Sequence, residues 1–267
     1  MSSTNKQAKS ILEQYGLESA AITPVSAGLI NITFEIESGS GRYILQRVNP
    51  IFPEGIHTDI VAVTETLAAK GLTTPRLLPN DRGQLYTRTN GDTWRLLTSI
   101  EGRTVDIVTQ PDQAHSAGQI LARFHSAIWD IKHIFQARPR VHNIARHLRG
   151  LEDSLSDHPN HPRYNDIVPL AKDILRFAEE LPSLPLIEER FVHGDPKISN
   201  VVFENMSDKA ICMVDLDTLG PMPLALELGD AFRSWCNPNG EDSEAGVFSL
   251  EIFEAAIAGY AANAPEG

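Results

Sequence analysis

Two hydrophobic rhythms divide this chain. In the first half apolar residues mostly alternate with polar ones in short runs, the period of a half-buried strand. Ile32, Phe34 and Ile36 alternate in this way, Ser38-Gly39-Ser40-Gly41 makes a turn, and Tyr43-Ile44-Leu45 follows, which predicts an antiparallel hairpin. From Asp59 to Lys70 the spacing changes: Ile60, Val63 and Leu67 recur as one helix face, Gly71 stops that helix and Pro75 forbids its continuation. Two more strands, Gln84 to Arg88 and Trp94 to Ser99, are joined through Asn90-Gly91, whose tolerance of positive φ suits a tight hairpin. With a short helix around Lys6 to Tyr15, this half predicts an antiparallel sheet of about five strands crossed by one helix.

Glu101-Gly102 breaks the pattern, and Pro111 sits where the first turn of a long helix, running to about Trp129, begins. Helical spacing returns over Asn143 to Leu155, Tyr164 to Glu180, Leu224 to Trp235 and Val247 to Ala262. The loop between the first two of these contains His158, Pro159, His161 and Pro162. Strands gathered in one half and helices in the other predict an α+β fold and argue against alternating βαβ units. The expected division is residues 1–100 and residues 101–267, with the hinge at Glu101-Gly102.

Composition narrows the function classes. At 267 residues with 42% hydrophobic content the chain can bury a real core. A formal charge of −12 repels polyanions, so nucleic acid and anionic membrane surfaces are poor partners. Cys212 and Cys236, in segments read as a strand and a helix, support neither a disulfide framework nor a zinc cluster, which suits a reducing cytoplasm. Met1 to Ser10 is polar, and no run approaches the roughly 20 apolar residues of a membrane helix, so a soluble intracellular protein is expected.

The chemistry concentrates in Phe191-Val192-His193-Gly194-Asp195-Pro196-Lys197-Ile198-Ser199-Asn200-Val201-Val202-Phe203, where polar groups crowd a loop between apolar strand-like pieces. Beyond it the chain reads as strand, turn and strand up to Asp215, and a hairpin folded on itself returns Asp215 to the neighbourhood of Asn200. Two oxygen ligands brought together in this way suit Mg²⁺, which takes few protein ligands and keeps several waters. Phosphoryl transfer needs a carboxylate for the attacking hydroxyl, a metal against the phosphate oxygens and a nearby cation. Asp195, the pair Asn200 and Asp215, and Lys197 supply that list. One Asp or Asn in a loop signals only a turn; the whole spaced set argues for function.

The spacing His-Gly-Asp-x-x-x-x-Asn, with Val214-Asp215-Leu216-Asp217 and the later Gly229-Asp230, resembles the aminoglycoside phosphotransferase and choline kinase superfamily, over about residues 27–235. The resemblance implies a bilobal protein-kinase-like fold, with an N-terminal antiparallel sheet and one crossing helix as the nucleotide-binding lobe. The mainly helical C-terminal lobe is then catalytic and acceptor-binding. It also implies ATP and Mg²⁺ as cofactors, and a small-molecule hydroxyl as the acceptor. Residues 43–49, the lysine of Asp195-Pro196-Lys197 and Asp215-Leu216-Asp217-Thr218 look like the N-acetylhexosamine 1-kinase branch. Homoserine, choline or ethanolamine, or an aminoglycoside are the alternative acceptors, and a nucleotide-binding pseudokinase is the alternative from another class. Relatives carry more helix after the segment corresponding to Ala262, so a shortened acceptor wall is expected.

The same resemblance assigns further roles. Ser26 to Asn31, with Gly28 and Asn31, sits where a hairpin turn covers the phosphates, although it carries one glycine instead of three. The strand position of the usual phosphate-binding lysine corresponds to Gln46 or Arg47, with Arg47 or Lys197 left to supply the charge. Glu65 is the counterpart of the glutamate that pairs with the strand cation, and the adenine is expected against Ser99, Ile100 and Glu101. His193 is read as structural, its imidazole bonding loop backbone. Asp217 reads as a second metal or water-positioning ligand or as a solvated strand-end residue. Gly229-Asp230 looks like a brace for the catalytic loop, with acceptor contact by Asp230 or Arg233 as the lesser reading. His142 and His147, five apart, do not share a helix face and read as surface residues, while His125 and Trp129 read as packing.

Overall fold

The computed structural model describes residues 3–25, 30–137, 143–181, 188–241 and 243–265. The first half is an antiparallel sheet of β1 (Ala21–Val25), β2 (Ile32–Ser38), β3 (Gly41–Val48), β4 (Leu77–Leu78), β5 (Thr87–Thr89) and β6 (Asp92–Thr98). The order is β1-β2-β3-β6-β4, with β5 also paired to β6. Six strands form where alternation predicts about five. Pro24 suits the edge position of β1, and β4 has only two residues, too few to show a period. The strand expected over Gln84 to Arg88 shortens because Asn80 N–H donates to the Gln84 carbonyl at 2.9 Å, closing a turn. The expected hairpin turn forms with φ of 52° at Asn90 and 86° at Gly91.

Period-two alternation gives the sheet two different faces. Phe34, Ile36, Leu45, Trp94 and Leu96 bury one face against Ala8, Ile11 and Leu12 of α1 (Ser3–Glu13). Their neighbours Thr33, Glu35, Ile44, Gln46, Arg95 and Leu97 turn to the other face, which lines a cleft. Each fully buried large apolar side chain contributes roughly 1.5–3 kcal/mol, so a one-residue slip of β2 or β6 is strongly disfavoured. The crossing helix α2 (Ile56–Ala69) lays Ile56, Ile60, Val63 and Leu67 into a second core.

That core continues through α3 (Pro111–Ile128) into the helical half. There follow α4 (Ile144–Asp157), α5 (Tyr164–Glu180), β7 (Glu189–Val192), β8 (Val201–Phe203), β9 (Ala210–Met213), β10 (Gly220–Pro223), α6 (Leu224–Trp235) and α7 (Leu250–Ala261). The helices α3 and α7 touch backbone to backbone, since a Cβ on Gly118 would collide with the Ala256 carbonyl and one on Gly259 with that of His115. Where the chain passes from sheet to helices, Arg103 and Phe203 exchange backbone hydrogen bonds of 2.9 and 2.8 Å. Gly102 permits this approach, because a Cβ there would lie 2.5 Å from the Phe203 carbonyl. The architecture is α+β, as the segregated rhythms predict. Among the described residues no helix is long and apolar enough to cross a membrane.

Candidate active site

The loop between β7 and β8 is built around backbone groups that would otherwise lack partners. Glu227 on α6 is fully buried; its carboxylate accepts the N–H groups of His193 and Gly194, both at 3.0 Å. Ser234, two turns along the same helix, accepts Ile198 N–H at 3.0 Å, and Trp235 donates its indole N–H to the Pro196 carbonyl at 2.8 Å. Behind Glu227, His125 donates Nε2–H to the carboxylate at 3.3 Å and pairs through Nδ1 with the Tyr260 hydroxyl at 2.9 Å. One helix therefore holds the loop at both ends and is itself tied to α3 and α7.

Within the loop, Asn200 donates its side-chain amide to the Asp195 carbonyl at 2.8 Å and to the Asp195 carboxylate at 3.1 Å. That commits its nitrogen and leaves the amide oxygen for another partner. Lys197 Nζ stands 2.9 Å from the same carboxylate. Burial alone would lower the Lys197 ammonium, but the Asp195 hydrogen bond and the charges of Asp195, Asp215 and Glu241 outweigh it and hold it above its usual value. The His193 imidazole donates Nε2–H to the Val214 carbonyl at 2.9 Å and accepts Asp195 N–H at 3.3 Å. Gly194 has φ of +85°, and the Thr218 carbonyl occupies the space a Cβ would need.

The hairpin of β8 and β9 pairs Val201 with Met213, and Val214 N–H donates to the Asn200 carbonyl at 2.9 Å, so Asp215 emerges beside the loop. Asp215 takes the left-handed conformation, with φ of 63° and ψ of 62°. Its carboxylate opens to solvent on the cleft side while protein crowds its flanks; this partial burial and the neighbouring Asp217 charge raise its pKa. A hard divalent cation held between Asp215 and the Asn200 amide oxygen would offset both effects. No cluster of three or more His, Cys, Asp or Glu side chains suited to a metal occurs among the described residues. The donor set thus fits an ion that completes its shell with phosphate oxygens and water, such as Mg²⁺.

Asp215 also lines a cavity of about 330 Å³, the size range of a small-molecule pocket. Ile44 and Leu97 of the sheet, with Val202 and Val214 of the hairpin, give it apolar walls suited to a flat ring, and Gln46 and Arg95 add polar ones. Ser99 and Ile100 line it and Glu101 does not. Asp195, Lys197 and Asn200 lie outside its lining; Asp215 joins the two regions.

Other sequence candidates separate. Gly28, with residues 26–29, lies outside the described residues, as does His142. Asn31 is buried and donates to Asp217 at 2.7 Å. Arg47 is directed toward the opposite sheet face and stands 3.5 Å from Asp92. Glu65 is exposed on α2 and meets only the outer residue Arg76, at 3.8 Å, among its ion pairs. Asp217 is neither a strand-end residue in solvent nor open to a metal, because Arg95 takes its two oxygens at 2.5 and 2.8 Å. Burial would raise its pKa, but the Arg95 charge dominates and holds the carboxyl below the usual range. Asp230 pairs with Arg233 at 3.0 Å, and Arg233 also reaches Glu241 at 2.8 Å.

Residues 21–262 match the family described as the phosphotransferase enzyme family. The chain belongs to that family. Homoserine kinases of Methylobacillus glycogenes and Methylobacillus flagellatus are 29% and 26% identical to it, over 105 and 103 residues. Each match takes in 39% of this chain and 32% of the relative, so the chain spans about a third of the length of these curated relatives. An amicoumacin kinase in complex with AMP-PNP and Ca²⁺ superposes with a TM-score of 0.68 at 15% identity, over 100% of this chain and 82% of that one. A microcompartment-associated aminopropanol kinase gives 0.67 at 18%, over 98% and 82%. An ethanolamine kinase of Plasmodium vivax gives 0.67 at 15%, over 97% and 74%. The shared fold is that of kinase-like phosphotransferases, in agreement with the expectation from the loop spacing.

Two residues that build this candidate site carry no motif in the sequence. Glu227 carries a signal in retrospect, since it shares the buried face of α6 with Ala231, Ser234 and Trp235. Arg95 is a charge inside the apolar run Trp94 to Leu97 of a central strand, a placement that demands a buried partner.

Proposed function

We propose that this chain is an ATP- and Mg²⁺-dependent kinase that transfers the γ-phosphoryl group to the hydroxyl of a small molecule. The observation that carries the reading is the convergence of Asp195, Lys197 and Asn200 on one braced loop beside Asp215, at the edge of an apolar cavity under the sheet. Asp195 orients the acceptor hydroxyl and takes its proton, and Lys197 offsets charge at the transferring group. Asn200 and Asp215 would hold Mg²⁺, which would supply neutralisation of the phosphate charge when bound. The base stacks between Ile44 and Leu97 above and Val202 and Val214 below, against Ser99 and Ile100. Residues 1–100 and 101–267 serve as the nucleotide and acceptor lobes.

For the acceptor, the residues 43–49 and the Asp215-Leu216-Asp217-Thr218 turn favour an N-acetylhexosamine, phosphorylated at its anomeric hydroxyl. The matches to homoserine kinases favour a second reading, a small amino alcohol or hydroxy amino acid. ATP consumption measured against amino sugars, simple sugars, homoserine, choline, ethanolamine and kanamycin-like compounds separates them. Selective turnover of one N-acetylhexosamine supports the first, and turnover undiminished in Asp195→Asn removes the mechanism.

A further inference from the structure

The resemblance assigns the carboxylate that meets the sheet cation to Glu65 of the crossing helix. Here the crossing helix has no carboxylate to spare for it: the buried Asp59 is taken by His133 and by the N–H groups of Gln136 and Ala137, while Glu65 is turned outward and 63% exposed. The sheet cation is Arg95 on β6, and the carboxylate that meets it comes from the other half of the molecule, two residues after Asp215. Resting on the kinase reading above, we infer that the Arg95–Asp217 pair is a positioning device that ties the sheet to the metal-binding turn and sets the direction of Asp215.

The geometry of the turn carries this. Asp215 is followed by a single 3₁₀ turn, Leu216–Thr218, so the direction of its side chain depends on how that short turn is anchored. On the loop side, Val214 bonds the Asn200 carbonyl and Thr218 Oγ1–H donates to the His193 carbonyl at 3.0 Å. On the sheet side the anchor is Asp217, with Arg95 across both oxygens and Asn31 donating to Oδ2 at 2.7 Å. Asn31 is fixed in turn by accepting Asn49 N–H at 2.9 Å.

Arg95 cannot swing away from this role. Gln46, its register partner on β3, accepts from Nε at 2.9 Å and from Nη2 at 2.7 Å, so the guanidinium is gripped on two edges. With side-chain exposures of 2% and 1%, Arg95 and Asp217 are almost wholly covered, and Arg95 lends only a small part of its surface to the cavity wall. The guanidinium spends its hydrogen bonds on Gln46 and Asp217, so the pair acts through Asp215. A buried pair of this kind adds little net stability compared with apolar residues of similar volume. Its retention is explained by what it orients, as partners behind metal ligands commonly do.

The test separates orientation from stability by using a double variant, Arg95→Met/Asp217→Leu, which removes both charges and leaves neither stranded. Binding of a fluorescent ATP analogue is measured with EDTA and with rising Mg²⁺, so no acceptor is needed. Because Arg95 also lines the cavity, the Mg²⁺ requirement of the variant is read relative to its own binding in EDTA, and about 10–100-fold more Mg²⁺ than in the parent is expected for the metal-dependent gain. Arg95→Lys, which keeps the charge and loses the two-pronged grip, is expected to fall between them and covers the case of a double variant that does not fold. A folded double variant or Arg95→Lys with the parental Mg²⁺ requirement overturns the inference and leaves the kinase reading standing. A parent protein whose analogue binding ignores Mg²⁺ overturns both.

Discussion

Glu227 and His193 meet at 3.0 Å, carboxylate to backbone N–H, in a region where neither is exposed. The same carboxylate holds Gly194, so truncation strands two loop donors and the His125 ring together. Leaving a buried donor unsatisfied costs about 1–3 kcal/mol. Glu227→Ala should therefore lower the melting temperature by several degrees and reduce turnover, both because the loop carrying Asp195 loses its support. Glu227→Gln should do much the same, since its amide turns a donor toward a donor; retained melting temperature and activity in Glu227→Gln would remove the brace.

Lys197 makes the opposite prediction about stability. Its side chain is 29% exposed and its partner Asp195 26%, and pairs near the surface contribute about 0–1 kcal/mol. Lys197→Met should melt within a few degrees of the parent while turnover falls by roughly 10²-fold, the usual loss when one transition-state charge stabiliser is removed. A melting curve and an ATP-consumption rate on the same sample check the split.

His57 on α2 gives a pH dependence with a definite sign. Burial, and next the Arg95 charge, push its pKa from 6.5 down to about 4, with Asp217 opposing weakly. Above pH 6.5 the ring is neutral folded or unfolded and contributes no slope. As pH falls from about 6.5 toward 4 the unfolded chain binds the proton first, so stability drops, by up to about 3 kcal/mol, and this loss levels off below the folded value. Denaturant melts of the parent and of His57→Gln across that window should show a steeper decline in the parent. Parallel slopes would contradict the burial of His57 within reach of the Arg95 charge.

Two glycines should respond in opposite directions. Gly194 combines a φ of +85° with the Thr218 carbonyl in the way of a Cβ, so Gly194→Ala should destabilise by more than about 1 kcal/mol and impair turnover. Gly150 lies in α4 with nothing near a Cβ, so Gly150→Ala should stabilise by roughly 0.5–1 kcal/mol and leave turnover alone. Thermal melts of the two variants read this directly.

Much of the fold is visible in local pattern because burial imposes a period. Alternation at Ile32, Phe34 and Ile36 predicts β2, and Tyr164–Glu180 and Leu224–Trp235 form helices over the predicted spans. The return of Asp215 toward Asn200 is likewise legible, because a hairpin must bring its two ends together. β1 and β4 are not, since an exposed edge strand and a two-residue strand bury too little to leave a rhythm.

Local sequence determined the α+β division, the loop that carries Asp195, Lys197 and Asn200, and the family to which the chain belongs, because each depends on residues close together along the chain. Only the tertiary structure decided which charges face one another: Arg95 with Asp217 across 122 positions, and Glu227 with His193 and Gly194 across 34 and 33. A buried charge must find a partner wherever packing brings one, and spacing along the chain carries no record of that choice.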